Sequence, residues 1–387
     1  MEAPNVIDNV VVGASAAGLA VAACLKRSGQ QFVLLEQADQ VASAWRQHYD
    51  RLHLHTSKGL SGLPHLAMPK SYLRYPSRQQ VVEYLETYTS EMGLQPRFGQ
   101  RVTSIRRLEG SWVTRTAEES WSSANVVVAT GYTRVPVIPE WSGRDRFKGT
   151  ILHSSEYRNP RRFRDQRVMV VGFGNSGGEI ALELAESGVD ATLSIRGVVN
   201  AIPRDLLGIP ILAWGLALRL LPMKVADLVS KPLIGATVGD IRKLGLRRLP
   251  YGPNTQIRRE GRIPLLDVGT LEAIRAGRIA VRPGIEAFDE TGVTLTDGQH
   301  EELDVVVAAT GYRPGLADYL DEPQALLDEH GVPLVSGGPT AEKGLFFCGL
   351  RPAATGMLRE IGIEARRIAN LIAKDQKPHR SDRPGVD

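Results

Sequence analysis

Arg167-Val-Met-Val-Val171 is followed by Gly172-Phe-Gly-Asn-Ser-Gly177, and the reading of this stretch decides the fold. A short β-branched run ending at a glycine predicts a buried strand. Three glycines at that spacing predict a tight turn into a helix, placed over Glu179 to Ser187, whose N-terminus offers free backbone N–H groups to a pyrophosphate. Ala191-Thr-Leu-Ser-Ile195 then predicts a second strand, ended by Arg196. Together these form one βαβ nucleotide-binding unit. Gly172, Gly174, Asn175, Ser176 and Gly177 are its candidate phosphate-side residues. Where sites for NAD carry an acid at the end of the second strand, this chain carries Arg196. A guanidinium matches a 2′-phosphate in charge and in fork geometry, which favours NADPH.

The same unit occurs earlier in the chain. Ile7-Asp-Asn-Val-Val-Val12 predicts a strand, Gly13-Ala-Ser-Ala-Ala-Gly18 a glycine turn, Ala17 to Arg27 a helix, and Gln31-Phe-Val-Leu-Leu35 the next strand. Gly13, Ala16 and Gly18 keep the motif, but Ser15 stands where a glycine normally admits the pyrophosphate. Its Cβ narrows that approach, while its hydroxyl is a possible donor to phosphate. Glu36 follows the second strand, where an acid binds ribose hydroxyls and repels a 2′-phosphate, so FAD or NAD suits this turn. Each unit is followed at similar distance by an apolar run ending in Ala-Thr-Gly: Val126 to Gly131, and Val305 to Gly311. Thr130, Thr310 and Gly311 on these runs, and Gly349 after the strand Gly344 to Cys348, join the candidate cofactor-binding residues. The duplication predicts an α/β fold with two Rossmann-like dinucleotide-binding domains, the NADPH domain inserted in the FAD domain. Expected boundaries are 1–160 and 301–373 for the FAD-binding domain and 161–300 for the NADPH-binding domain. A helix is expected from about Met357 to Ala373 and a disordered tail over 374–387.

Composition supports two globular domains. The 387 residues are 42% hydrophobic and 23% charged, with a net charge of +4. This mild basicity, with no continuous basic face or nucleic-acid-binding motif, argues against a nucleic-acid partner. Cys24 and Cys348 are the two cysteines, and their separation offers neither a disulfide framework nor metal-ligand spacing. A reducing, cytoplasmic location is expected. The N-terminal residues lack the pattern of a secretory signal. Leu206 to Pro222 is the most apolar later stretch, yet glycines, Pro210 and Arg219 interrupt it, so no transmembrane span is expected. It reads as a helix lining a core or pocket, with contact to a membrane surface as the alternative.

Between the two glycine turns lies Phe147-Lys-Gly-Thr-Ile-Leu-His-Ser-Ser-Glu-Tyr157. This string resembles the signature of class B flavin-dependent monooxygenases. Tyr157, where the Baeyer–Villiger branch usually has Trp, points toward the N-hydroxylating and flavin-containing branches. Ala42-Ser-Ala-Trp45, Tyr49 to His55, Ile202-Pro-Arg-Asp205, Pro264 to Gly269 and Gly344-Leu-Phe-Phe347 extend the resemblance to the YUCCA-like subgroup, over roughly Val10 to Ala373. The chain departs from that subgroup at Ser15-Ala16-Ala17, Thr56-Ser57-Lys58, Gly178 and Arg351 to Thr355.

The resemblance implies an enzyme that binds FAD and NADPH and oxygenates a small organic substrate with O2 through a C4a-(hydro)peroxyflavin. It implies a domain-linking rather than proton-transferring role for His153. It places His55 near the flavin as a candidate catalytic residue, Trp45 and Lys58 beside the flavin, and Asn175 within reach of the nicotinamide nucleotide. The best reading of the substrate is an α-keto acid such as indole-3-pyruvate, decarboxylated as it is oxygenated. N- or S-oxygenation of a soft heteroatom is the alternative, as is an uncoupled NADPH oxidase or redox-responsive binding protein. A disulfide reductase would need a close cysteine pair beside the flavin, which the sequence lacks. For a keto acid, an arginine among Arg204, Arg219, Arg242, Arg247 and Arg248 is a candidate partner of the carboxylate, although each also suits a solvated surface.

Overall fold

The computed structural model describes residues 4–218, 225, 235, 237–253, 255–256, 263–353 and 355–375. Two parallel-rich sheets organise the chain. In the first, strands run in the spatial order Phe32–Leu35, Asn5–Val12, Ser120–Val128, Ser111–Arg115, Ser104–Leu108, with Leu345–Phe347 also pairing on Ser120–Val128. The second has the order Ile279–Arg282, Asp190–Ser194, Arg167–Val171, Val305–Ala308, Thr150–His153, all parallel. Both are doubly-wound Rossmann-type arrangements.

The central strands are unbroken apolar runs because helices or other strands cover both faces. Val10, Val11, Val126, Val127, Val306 and Val307 are all at 0% exposure. The helix Ala16–Arg27 packs against Met357–Asp375, which buries Ile361, Ala365, Ile368, Ala369 and Ile372 on one face. Its spacing of three or four residues makes this terminal helix amphipathic. It runs two residues past the expected end, and of the expected tail 376–387 lie outside the described residues.

Sheet pairing differs from the expected domain boundaries. Thr150–His153 and Val305–Ala308 were assigned to the two parts of the FAD-binding domain, yet both are strands of the second sheet. Val305 pairs with Thr150 on one side and Val168 on the other. The chain crosses between the two units at Val135–Pro136 and Tyr312–Arg313, which pair antiparallel with each other. Sheet membership therefore puts the crossings near residues 136 and 312.

The helix after the second glycine turn begins at Asn175 rather than Glu179 and runs to Glu186. Of the apolar stretch at Leu206 to Pro222, Ile211–Leu218 is helical and residues 219–222 lie outside the described residues. No helix among the described residues is long and apolar enough to cross a membrane.

Candidate functional site

Both glycine turns open into one cleft of about 2640 Å³. The first glycine of each turn has a conformation that only glycine adopts easily: φ is +102° at Gly13 and +115° at Gly172. A Cβ at Gly13 would lie 2.7 Å from the Ala129 carbonyl oxygen, and one at Gly172 would lie 2.5 Å from that of Ala309. The third glycines, Gly18 and Gly177, are buried beneath the turns, where a Cβ would strike the carbonyl oxygens of Gly13 and Gly172. Each Ala-Thr-Gly run thus supplies the backbone against which a turn is folded.

The middle positions behave differently. Gly174 has φ −89° and open space where a Cβ would stand, and Ser15 has φ −107°. Neither position needs a left-handed backbone, so serine is accommodated there without strain. Ser15, Ala16, Gly174, Asn175 and Ser176 line the cleft. No side chain caps the helix that starts at Ala16 or the one that starts at Asn175. Both helix N-termini therefore keep backbone donors for an anionic ligand.

At the end of the Phe32–Leu35 strand, Glu36 lines the cleft and accepts hydrogen bonds from the amides of Ala14 (2.6 Å) and Ala38 (3.0 Å). Fixed on the back of the first turn, this acid retains oxygen lone pairs for ribose hydroxyls. Arg196 stands on the lip of the second half, exposed, and forms no ion pair among the described residues. The two turns thus face one cleft, with an acid at the end of the second strand in one unit and a cation at the equivalent place in the other.

Trp45, Thr130, Thr310, Gly311 and Gly349 also line the cleft. Trp45 meets His48 edge-on, with centroids 5.8 Å apart. Thr130 and Tyr319 share a hydroxyl hydrogen bond of 2.9 Å. The amide of Gly349 donates to Glu364 at 2.7 Å, and Thr310 donates to the Val137 carbonyl. Lys58 is placed otherwise. Its ammonium donates to the carbonyls of Lys70 and Tyr72, and its side chain does not line the cleft. Asn175 sits at the turn, but its Oδ1 accepts the Leu266 amide at 2.8 Å and so ties the helix start to the neighbouring strand.

His153 is buried at 1% exposure and edge-on to Tyr312. The Ser155 amide donates to its Nδ1 (3.1 Å), which places the proton on Nε2, and Nε2 donates to the Gly311 carbonyl at 3.0 Å. The histidine thus ties the Thr150–His153 strand to the crossing segment.

His55 lines the cleft and lies with its Nε2 3.1 Å from Oε1 of Glu179. The ring's Nδ1 is buried without a partner. Glu179 also accepts the hydroxyl of Tyr49 at 3.1 Å. It is only 5% exposed and lies in the helix of the second glycine turn, whereas Tyr49 and His55 belong to the first half of the chain. Sequence reasoning missed both Glu179 and Tyr49 as site residues. Burial, reinforced by the neighbouring carboxylate, holds the Tyr49 phenol well above its ordinary pKa, so it remains a donor.

Cys24 and Cys348 are free, buried and absent from the cleft lining. Burial raises Cys24 to about 11 and pushes Cys348 well above the usual thiol range. Neither is placed for dithiol chemistry.

Residues 10–205 match the family model for pyridine nucleotide-disulphide oxidoreductases. The chain is 37% identical to the indole-3-pyruvate monooxygenase YUCCA4 of Oryza sativa subsp. japonica, covering 94% of this chain and 87% of that protein. Its fold superposes on the flavin monooxygenase of Stenotrophomonas maltophilia, in a doubly substituted form, with a TM-score of 0.73 and 25% identity over 96% and 99% of the two chains. Cyclohexanone monooxygenase with bound ε-caprolactone shares the fold at a TM-score of 0.75 and 20% identity, over 96% and 88%. Two dinucleotide turns facing one cleft, no cleft cysteine and this level of identity lead to one conclusion: the chain belongs to the YUCCA-type flavin-dependent monooxygenases, enzymes that use flavin and NADP(H).

Proposed function

We propose that the first glycine turn holds FAD, that the second holds NADPH, and that the substrate is an α-keto acid such as indole-3-pyruvate. The observation that carries the cofactor assignment is the opposite charge of Glu36 and Arg196 at equivalent positions of the two units. A carboxylate there accepts ribose hydroxyls and repels a 2′-phosphate, while a guanidinium pairs with one. The relatives named as indole-3-pyruvate monooxygenases support the substrate class.

The flavin, when bound and reduced by NADPH, supplies the activation of O2 that a protein side chain lacks. The balance is one keto acid, one O2, one NADPH and one proton giving the shortened carboxylate, CO2, NADP+ and water. The chain's residues bind, orient and keep the site dry. The backbone amides at Ser15–Ala17 and Gly174–Ser176 take the pyrophosphates. Trp45, Leu54, Ile202, Leu206 and Trp214 give the cleft apolar walls that exclude water around the reacting atoms. Glu179 sets a carboxylate 3.1 Å from His55 Nε2, and Asn175 keeps the second turn in register through Leu266.

The test is turnover by FAD-loaded protein. NADPH consumption, O2 uptake, hydrogen peroxide release and acid product are followed with indole-3-pyruvate, a simple tertiary amine and a sulfide. Indole-3-pyruvate is expected to raise NADPH consumption and suppress peroxide, with one acid formed per NADPH. Stimulation by the amine or sulfide instead would replace the keto-acid assignment. Peroxide matching NADPH with every compound would mark an uncoupled oxidase.

A further inference from the structure

A second cavity of about 410 Å³ adjoins the main cleft, and His53 and His55 line both. Its other walls include Arg74, Tyr75, Glu179 and Arg204. The lining carries three arginines, Arg51, Arg74 and Arg204, and one carboxylate, Glu179. Arg51, also on the wall, pairs with Glu186. Arg74 and Arg204, however, share one carboxylate, Asp205, each at 3.5 Å. The same carboxylate accepts the Tyr75 hydroxyl at 2.6 Å. Asp205 and Glu186 stand outside the lining, so among the described residues the wall itself presents more arginine than carboxylate.

Arg204 is also held in a fixed pose. Its guanidinium lies 4.3 Å from the centre of the Tyr75 ring, a cation–π contact that sets its plane. Its Nε is buried and makes no hydrogen bond, although Asp205 is near. The terminal nitrogens of Arg204 also make no hydrogen bond among the described residues. The two ends of a planar guanidinium match a carboxylate by a pair of parallel hydrogen bonds.

We infer that this side cavity is a carboxylate subsite, with Arg204 as the anchoring cation and Arg74 as its partner. The inference rests on the keto-acid reading above and deepens it. In an α-keto acid the carboxylate is bonded directly to the carbonyl that reacts. Its anchor must therefore adjoin the oxygenation site, and His55, on the wall common to both cavities, marks that junction. Tyr75, Leu73 and Val268 complete the wall with apolar surface for a short organic body.

The test is binding first and turnover second, on FAD-loaded protein. Indole-3-acetate and its neutral amide are titrated by equilibrium dialysis against wild type, Arg204→Gln, Arg204→Lys and Asp205→Asn. Wild type is expected to bind the acid about 10-fold or more tighter than the amide. Arg204→Gln should weaken the acid by about 10- to 100-fold and leave the amide unchanged, with Arg204→Lys in between. Asp205→Asn removes the competing acid, so it should tighten acid binding, and it keeps the inference falsifiable if Arg204→Gln folds poorly. Equal losses for acid and amide, no preference in wild type, or weaker acid binding in Asp205→Asn would overturn it. Indole-3-pyruvate turnover separates the two claims: Arg204-dependent acid binding without keto-acid turnover leaves the subsite standing and removes the substrate assignment. Turnover with a KM indifferent to Arg204 does the reverse.

Discussion

Glu179 is the residue whose loss the structure prices most clearly. It is a carboxylate at 5% exposure that accepts the Tyr49 hydroxyl through one oxygen and sets the other 3.1 Å from His55 Nε2, both partners in the other half of the chain. Replacing it with Leu removes the acceptor and leaves the Tyr49 hydroxyl buried and unpaired. An orphaned donor costs about 1–3 kcal/mol, so Glu179→Leu should destabilise the fold by about that amount. Gln is isosteric and its oxygen keeps the Tyr49 bond, so Glu179→Gln should cost less than Glu179→Leu. Tyr49→Phe deletes the donor, so a cycle of Tyr49→Phe with Glu179→Leu should show about 1 kcal/mol or more of coupling. The assay is urea unfolding of the FAD-loaded protein followed by circular dichroism, with hydrogen peroxide release measured on the same samples. Because the Glu179 carboxylate faces His55 Nε2 at 3.1 Å, the glutamine variant should release more peroxide per NADPH consumed. A leucine variant within about 0.5 kcal/mol of wild type, with additive Tyr49 and Glu179 effects, would refute the reasoning.

Two glycines of one turn should fail in different ways. Gly172→Ala forces a Cβ to 2.5 Å from the Ala309 carbonyl oxygen at φ +115° and should abolish soluble folded protein. Gly174→Ala is unstrained and should keep its melting temperature while weakening NADP(H) binding in a titration. His48 is held down to about 4, first by burial and then by Arg158 and Arg78. Its neutral form is the folded one, so its contribution is complete above about pH 6.5 and is lost as pH falls toward 4. The loss should reach about 2–3 kcal/mol, and His48→Gln should flatten the fall in unfolding free energy between those pH values. With Cys24 raised to about 11 and Cys348 higher still, neither thiol should react with a thiol reagent at pH 8 in the folded protein. Both should react once it is unfolded in urea, and rapid labelling of the folded state would contradict the burial described here.

The two βαβ units were legible because their signals are local. A run such as Val10-Val-Val12 and the glycine spacing after it lie within a few residues of each other. The domain boundaries were not, because the partners of Thr150–His153 and Val305–Ala308 are set by pairing across more than a hundred residues. Ser15 was read as an obstacle from the rule that glycine stands there. Its extended backbone shows that the rule concerns space for the ligand and not the turn itself. Lys58 lies in the stretch that resembles the flavin-contacting segment of relatives, yet the carbonyls of Lys70 and Tyr72 decide where its ammonium goes. Glu179, Glu183 and Glu186 stand four and three residues apart, a spacing that in a helix usually marks a solvated face. In the structure Glu179 and Glu186 meet the other half, where Glu179 accepts Tyr49 and faces His55 and Glu186 takes Arg51, while Glu183 accepts Tyr157 of its own half. A pattern of acids alone carries no information about which donors a distant segment will bring.

This acidic ridge also explains how two similar halves can serve one reaction. The turns are near copies: Gly13 rests on Ala129 as Gly172 rests on Ala309, and Gly18 and Gly177 close on their own first glycines in the same way. Backbone packing of this kind fixes the geometry of a dinucleotide site but carries no preference for one dinucleotide over another. The halves differ in chemistry at Ser15 against Gly174, at Glu36 against Arg196, and in which helix carries the ridge. Only the second helix presents three acids to the Tyr49–Arg51 segment, to His55 and to Tyr157. A ligand that settles on the N-terminus of that helix therefore bears on the helix whose next turn holds His55. Nucleotide binding and the orientation of His55 are joined through a single rigid element of 12 residues, and its free N-terminus and its buried carboxylate are separated by one helical turn.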